Sequence, residues 1–203
     1  MGSHGRYGKY GEAKRFARLR KAGPGQPHTT GKDFETSGHS ERHKSKTFFR
    51  NQIKIIPARV TDSNYIRSLS KQVFGRYGPY DDTLTQWFLS GITITVLASM
   101  GRRPVGFAML GRFPHDRPLS RIYELLAIAV EPEMQNLGIG GLLMREIERK
   151  AGEVEAETLV LHTAADNMPG RKLFKKHGFI ESEIKNRFYP EGQDALMMHR
   201  DFL

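Results

Sequence analysis

Cysteine is absent from this sequence, which excludes disulfides, thiolate metal sites and any covalent intermediate carried on a protein thiol. Long apolar runs are missing too: nowhere do ~18 consecutive apolar residues occur, the length a membrane-crossing helix needs. The opening MGSHGRYGKYGEAKRF lacks the apolar block of a secretory leader. The expectation is a soluble, cytoplasmic protein with no membrane contact and no metal. Acidic residues are scarce relative to basic ones, 22 against 32 Lys and Arg, a formal charge of +10. At 203 residues the chain suits one core with an appendage better than two full domains. No internal repeat is visible.

The excess charge lies at one end. Residues 1–50 hold 12 Lys and Arg against 4 acidic residues, whereas the remaining 153 residues carry only +2. The first segment is rich in Gly, Ser, Thr and His and poor in branched aliphatic residues, a composition that cannot bury enough apolar surface to order itself. Residues 1–50 therefore read as a disordered basic tail ahead of a folded domain spanning 51–203. Such a tail suits salt-sensitive contact with a ribosome, nucleic acid or an acidic partner, and AKRFARLRK within it could form one short basic helix.

From Asn51 the pattern changes. QIKIIPARV is a strand candidate, and Thr61 or Asp62 can cap a helix whose stripe is Tyr65, Ile66, Leu69 and Val73. Asp81 and Asp82 can cap a second helix, TLTQWFLS. ITITVLASM and PVGFAMLGRF flank GRR, a hairpin signal. RIYELLAIAV is a long apolar strand, followed by a glycine loop and a helix with Leu143, Ile147 and Ala151 on one face. After the strand ETLVLHT, Asp166 or Asn167 caps a short helix with Pro169 in its first turn and Gly178 past its end. FIESEIKNRFYP and DALMMHRDF flank EGQ as a second hairpin. The order β α α β β β α β α β β gives an α/β (α+β) domain: a mixed sheet of about seven strands flanked by about four helices.

The glycine loop, EPEMQNLGIGGLLMREIERK, follows a strand and opens a helix. Backbone N–H groups in such a turn converge on one point, where the helix adds its positive end, so the loop is built for an anion. A dinucleotide fingerprint would need a third glycine where Leu143 stands, and a triphosphate loop would need Lys followed by Ser or Thr. Neither is present.

The pattern Gln135-x-x-Gly138-x-Gly140, with ADNMPGRKLFKKHGF and RFYPEGQDALMMHRDF downstream, resembles the GNAT superfamily of N-acetyltransferases over residues 53–203. The resemblance implies acetyl-CoA as acyl donor and direct transfer to a primary amine. It implies that the backbones of Ile128 and Val130 meet the acetyl and pantetheine groups, that Gln135, Asn136, Leu137, Gly138, Ile139, Gly140 and Gly141 surround the pyrophosphate, and that Asn167 and Phe174 line the donor site. Phe174 stands where the ribosomal-protein-alanine branch has a tyrosine. The closing segment looks like protein N-terminal acetyltransferases, in which an aromatic pair, here Phe188 and Tyr189, grips the substrate peptide.

For proton transfer, two alternatives remain open at this level. Tyr123 and His162 match the pattern of one N-terminal acetyltransferase branch, while Glu124 falls where the histone-acetyltransferase branch keeps a glutamate. Strand alternation sends Tyr123 and Glu124 to opposite faces unless a bulge intervenes. In FGRYGPYDD, Phe74, Tyr77 and Tyr80 could line the acceptor's first side chain. The lead acceptor is a protein N-terminal α-amine. The alternatives are a lysine or small-molecule amine, or a non-catalytic acyl-CoA-binding sensor. The sequence is compatible with a monomer or a homodimer.

Overall fold

The computed structural model describes residues 52–112 and 121–202. The basic segment 1–50 lies outside the described residues, and so does the expectation of a disordered tail. The elements are β1 (Ile53–Pro57), α1 (Ser63–Phe74), α2 (Tyr80–Leu89), β2 (Thr93–Met100), β3 (Arg103–Arg112), β4 (Ile122–Val130), α3 (Ile139–Glu153), β5 (Thr158–Ala164), α4 (Met168–Lys176), β6 (Ile180–Lys185) and β7 (Ala195–Asp201), with three short 3-10 turns between them. The strands form one sheet in the order β1-β2-β3-β4-β5-β7-β6. Every neighbouring pair is antiparallel except β4 and β5, which run parallel. This is the mixed sheet with four helices that the hydrophobic periodicity predicts, counted among the described residues.

Two apolar clusters sit on the two faces. On one, α3 turns Leu143, Met144, Ile147 and Ala151 onto Val96, Ala108, Leu110 and Leu125, all buried. Each fully buried Leu or Ile of this set contributes on the order of 1.5–3 kcal/mol. On the other face, Ile66 and Leu69 of α1 and Leu84 of α2 cover Leu97, Phe107, Met109, Ala127 and Ala129. Alternation along β3, with Phe107 and Met109 to one side and Ala108 and Leu110 to the other, is what separates the clusters.

The helix ends differ partly from expectation. Asp62 occupies the N-cap position of α1, but its carboxylate accepts the Arg59 N–H at 2.7 Å instead of capping the helix. Helix α2 begins at Tyr80 after Pro79, so Asp81 and Asp82 lie in its first turn and not at its cap. Their charges still favour the positive end of the helix, and Asp82 pairs with Arg67 of α1 at 2.7 Å. Asn167 does cap α4, accepting the Gly170 N–H at 3.1 Å, and Gly178 beyond the helix takes φ +81°. The second hairpin is looser than its sequence suggests. Strand β6 stops at Lys185, which leaves Phe188 and Tyr189 in a long connection, 186–194, and not in a strand.

Two irregularities of β4 position the site. Its register against β3 shifts between Met109 and Leu110, whose partners are Ala127 and Leu125, so Leu126 bulges. Its pairing with β5 runs only from Ile122 opposite Thr158 to Leu125 opposite Leu161. Beyond that point β4 continues along β3 to Val130, and β5 continues along β7 to Ala164. The two parallel strands therefore diverge, leaving facing edges of backbone unpaired between them.

Candidate active site

The bulge at Leu126 lies after Glu124, so Tyr123 and Glu124 do point to opposite faces. Tyr123 packs with Leu125 against the cluster under α3. Glu124 faces the other way and meets His162 of β5, with Nδ1 of His162 2.8 Å from Oε1 of Glu124. Of the three candidates for proton transfer, Glu124 and His162 are brought together, and Tyr123 lies on the other face of β4. The physical reason is register: His162 alternates with Leu159 and Leu161, which point into the α3 side. Both side chains are withdrawn from solvent, His162 to 4% and Glu124 to 14% exposure. The second ring nitrogen, Nε2, is buried and has no hydrogen-bond partner.

A chain of aromatic rings leads from this pair to the α1–α2 connection and the start of α2. Phe188 stacks on the His162 imidazole, centroids 4.6 Å apart and planes within 12°. Tyr189 meets Phe188 edge-on at 5.2 Å, and Tyr77 and Tyr80 lie 4.8 and 6.0 Å from Tyr189. Burial pushes the Tyr189 phenol well above its ordinary range, reinforced by Tyr80, Tyr77, Glu124 and Asp166 nearby. It therefore stays a neutral hydrogen-bond donor. Burial also raises the Tyr77 phenol, opposed by the Arg76 guanidinium. Phe74 is not among the rings in contact with Tyr189. It ends α1 and packs against the second cluster with Val73 and Trp87.

Several contacts that sequence reasoning missed tie down the α1–α2 connection. Gln193 Nε2 donates to the Arg76 carbonyl at 2.7 Å and Glu191 N–H donates to the Tyr77 carbonyl at 3.4 Å, both from the β6–β7 connection, and Arg76 pairs with Asp166 of the β5–α4 connection at 3.0 Å. Gly78, at φ +141°, lies so near Pro190 that a methyl group there would stand 2.8 Å from Pro190 Cγ. The only sequence signal for this closure is the Gly-Pro dipeptide at 78–79 flanked by aromatics.

The glycine loop is arranged as an anion cradle. Asn136 and Gly138 adopt positive φ, 62° and 86°, and Gly138 is the N-cap of α3 with no side-chain cap bond. Leu142 N–H returns to the Gly138 carbonyl at 3.2 Å, so the N–H groups of Ile139, Gly140 and Gly141 before it remain as the open donors of the first turn. No acidic residue occupies that turn. A methyl group on Gly140 would press Leu173 of α4 at 3.2 Å, and one on Gly141 would lie 3.7 Å from Nε2 of His177 and 3.8 Å from Nη1 of Arg145. The His177 imidazole and the Arg145 guanidinium therefore lie beside Gly141. Ile139 turns its side chain into the core and Leu137 packs beside it, so these residues offer only backbone.

Three expected donor contacts are modified. Gln135 spends an amide hydrogen on the Val130 carbonyl at 3.1 Å, tying the loop to the end of β4. Asn167 donates to Thr163 Oγ1 at 3.0 Å in addition to capping α4, which leaves it one amide hydrogen and one lone pair. Phe174 is a core residue, 4% exposed and packed on Phe179, because the inner stripe of α4 turns it away from the cleft. Ile128 and Val130 sit on the diverging stretch of β4, where their backbone edge faces the gap.

A diverging pair of parallel strands, followed by an uncapped glycine turn, matches what known proteins show. The sequence model of the Acetyltransferase (GNAT) family matches residues 64–179. This chain belongs to the GNAT acetyltransferase family. The N-alpha-acetyltransferase of Sulfurisphaera tokodaii is 28% identical over 156 residues, covering 72% of this chain and 92% of that protein. The N-alpha-acetyltransferase RimI of Mycobacterium tuberculosis is 32% identical over 105 residues, and there the match spans 51% of this chain and 63% of the relative. A GNAT family acetyltransferase from Elizabethkingia anophelis, solved with acetyl-CoA bound, superposes with a TM-score of 0.62 at 22% identity, covering 75% of this chain and 99% of that one. The GNAT assignment makes the protein an N-acetyltransferase and agrees with the order of elements read from the sequence. Among the described residues, no helix is long and apolar enough to cross a membrane.

Proposed function

We propose that this GNAT enzyme transfers the acetyl group of acetyl-CoA to the α-amine at a protein N-terminus, with His162 as general base oriented by Glu124. The observation that carries the reading is Nε2 of His162, buried without a partner while Nδ1 is held by Glu124 at 2.8 Å. A carboxylate accepting the Nδ1 proton leaves Nε2 with a free lone pair, the form a base needs. An orphaned buried acceptor in a native fold implies a missing donor. An incoming ammonium, directly or through one water, supplies it.

The donor, when bound, brings a thioester as electrophile. The open N–H groups of Ile139, Gly140 and Gly141, with the turn at Gly138 and the backbone of Asn136, would hold its diphosphate. The unpaired β4 edge at Ile128 and Val130 would hold the pantetheine, and an N–H there would stabilise charge developing on the thioester oxygen. Across the gap, Glu124 stabilises the imidazolium once Nε2 has taken its proton, and the Phe188 stack keeps the ring in plane. Tyr77, Tyr80 and Tyr189 would surround the first residue of the acceptor.

Two considerations favour an α-amine over a lysine. The S. tokodaii and M. tuberculosis relatives are N-alpha-acetyltransferases. An α-amino group titrates near about 8 and a lysine near about 10.4, so an imidazole base has a far smaller proton-transfer deficit to cover with the former. The test measures thiol release from acetyl-CoA with peptides of varied first residue, α-blocked lysine peptides and small amines. Acetylation at the α-nitrogen, located by mass spectrometry and strongly reduced by Glu124→Gln, is expected. Turnover confined to lysine peptides or small amines would overturn the acceptor assignment.

A further inference from the structure

Gln193 lies in the connection that closes over the Glu124–His162 pair, and half of its amide is unused. Nε2 donates to the Arg76 carbonyl at 2.7 Å, which fixes the amide's orientation, because a flipped amide would set oxygen against oxygen. Oε1 is the other end, and it is buried with no hydrogen-bond partner. The residue is held on both sides. Its carbonyl accepts the Tyr189 N–H at 3.1 Å, and the adjacent Asp194 accepts the Arg187 N–H through its carboxylate at 2.7 Å and the Ala165 N–H through its carbonyl at 3.1 Å. Gln193 therefore cannot relax easily toward another donor.

Among the described residues, buried side-chain atoms without a partner occur at Tyr65, Ser70, His162 and Gln193. The last two share one assembly. Tyr189, bonded through its backbone to Gln193, is edge-on to Phe188, which stacks on His162. Buried polar atoms are ordinarily paired, and an unpaired acceptor held rigidly in the connection whose Phe188 stacks on His162 calls for a donor on the ligand. His162 Nε2 takes the reacting amine. Gln193 Oε1 is a second acceptor in the same closure.

We infer that Gln193 binds the acceptor substrate, its Oε1 receiving the N–H of the first peptide bond, one residue beyond the reacting α-amine. This rests on the reading of the acceptor as a peptide N-terminus and sharpens it. A peptide offers an N–H three bonds from its α-nitrogen. A lysine side chain carries only methylenes over that span, so it leaves Oε1 unpaired. Gln193 thereby becomes a determinant of α-amine over ε-amine selection, since sites that hydrogen-bond a substrate group discriminate strongly against analogues lacking it.

The test pairs a substrate change with a side-chain change. A good peptide substrate is compared with its depsipeptide, in which an ester oxygen replaces the first peptide N–H. Wild type is expected to lose roughly tenfold in kcat/KM on the depsipeptide. Gln193→Leu, and Gln193→Met if leucine impairs folding, should show that loss already on the ordinary peptide and little further loss on the ester. Any effect of the ester on α-amine acidity is common to all variants and cancels in the ratio. If Gln193→Leu discriminates peptide from ester as strongly as wild type does, Gln193 is only a tie between loops and the inference fails while the α-amine reading stands. If wild type acetylates lysine peptides but no α-amine, both fail together.

Discussion

On the face of β4 that meets α3, Leu125, Ile128 and Val130 join a cluster in which Leu143, Met144 and Ile147 have no measurable exposure. On the opposite face, one residue away in sequence, Glu124 and His162 bring a carboxylate and an imidazole into a largely buried position and leave one ring nitrogen without a partner. The first face consists of side chains whose needs are met within the fold. The second leaves a buried ring nitrogen unsatisfied by the fold. On the proposed mechanism, stability and chemistry are separated by the pleat of a single strand, and a substitution's effect should depend on which side of β4 it touches.

The sharpest test of that separation is His162→Ala, expected to lower kcat by on the order of 10²–10⁴-fold while shifting the melting temperature only slightly. A collapse of the fold with no specific loss of turnover per folded molecule would erase the distinction. Leu143→Ala probes the other face. It should cost about 2–5 kcal/mol in chemical denaturation and leave kcat per folded molecule unchanged. Gly141→Ala sits where the two properties meet. Its methyl group has room, 3.7 Å from the nearest side-chain atom, and alanine in place of a helical glycine stabilises by up to about 1 kcal/mol. The same methyl intrudes on the donor cradle, so thermal stability should rise while calorimetric affinity for CoA falls; a parallel rise in both would contradict the assignment of the first turn. The smallest effect is expected from Tyr123→Phe. That phenol lies on the α3 face, and turnover should stay within about twofold of wild type. A large fall would return Tyr123 to the reaction centre.

Much of this was legible in the residues, and the remainder follows a physical pattern. Periodicity reports the element order because the helices carry a single buried stripe, as in Leu143, Ile147 and Ala151, and the central strands are short runs buried on both faces. The glycine loop was legible because only glycine tolerates the left-handed turn at Gly138 cheaply. Asn167 was found as a cap because capping is a local hydrogen bond. What escaped was non-local. Which of Tyr123 and Glu124 meets His162 depends on the pairing of β4 with β5, which no local pattern reports. The packing of Phe174 in the core was equally illegible, because aromatic residues near a motif look alike whether they face a ligand or the core. Gln193 gave no sign at all, since its importance arises from Arg76, 117 positions earlier in the chain.

The brief contact between β4 and β5 has a mechanical consequence. The sheet has two halves, β1 to β4 and β5 to β7, buttoned together by four residue pairs between β4 and β5 and then parting like an open collar. Whatever lodges in the opening splints one half to the other. Amide exchange should therefore report two separately breathing bodies in the free protein, and CoA should slow the exchange of both at once, the ligand acting as the missing stretch of sheet.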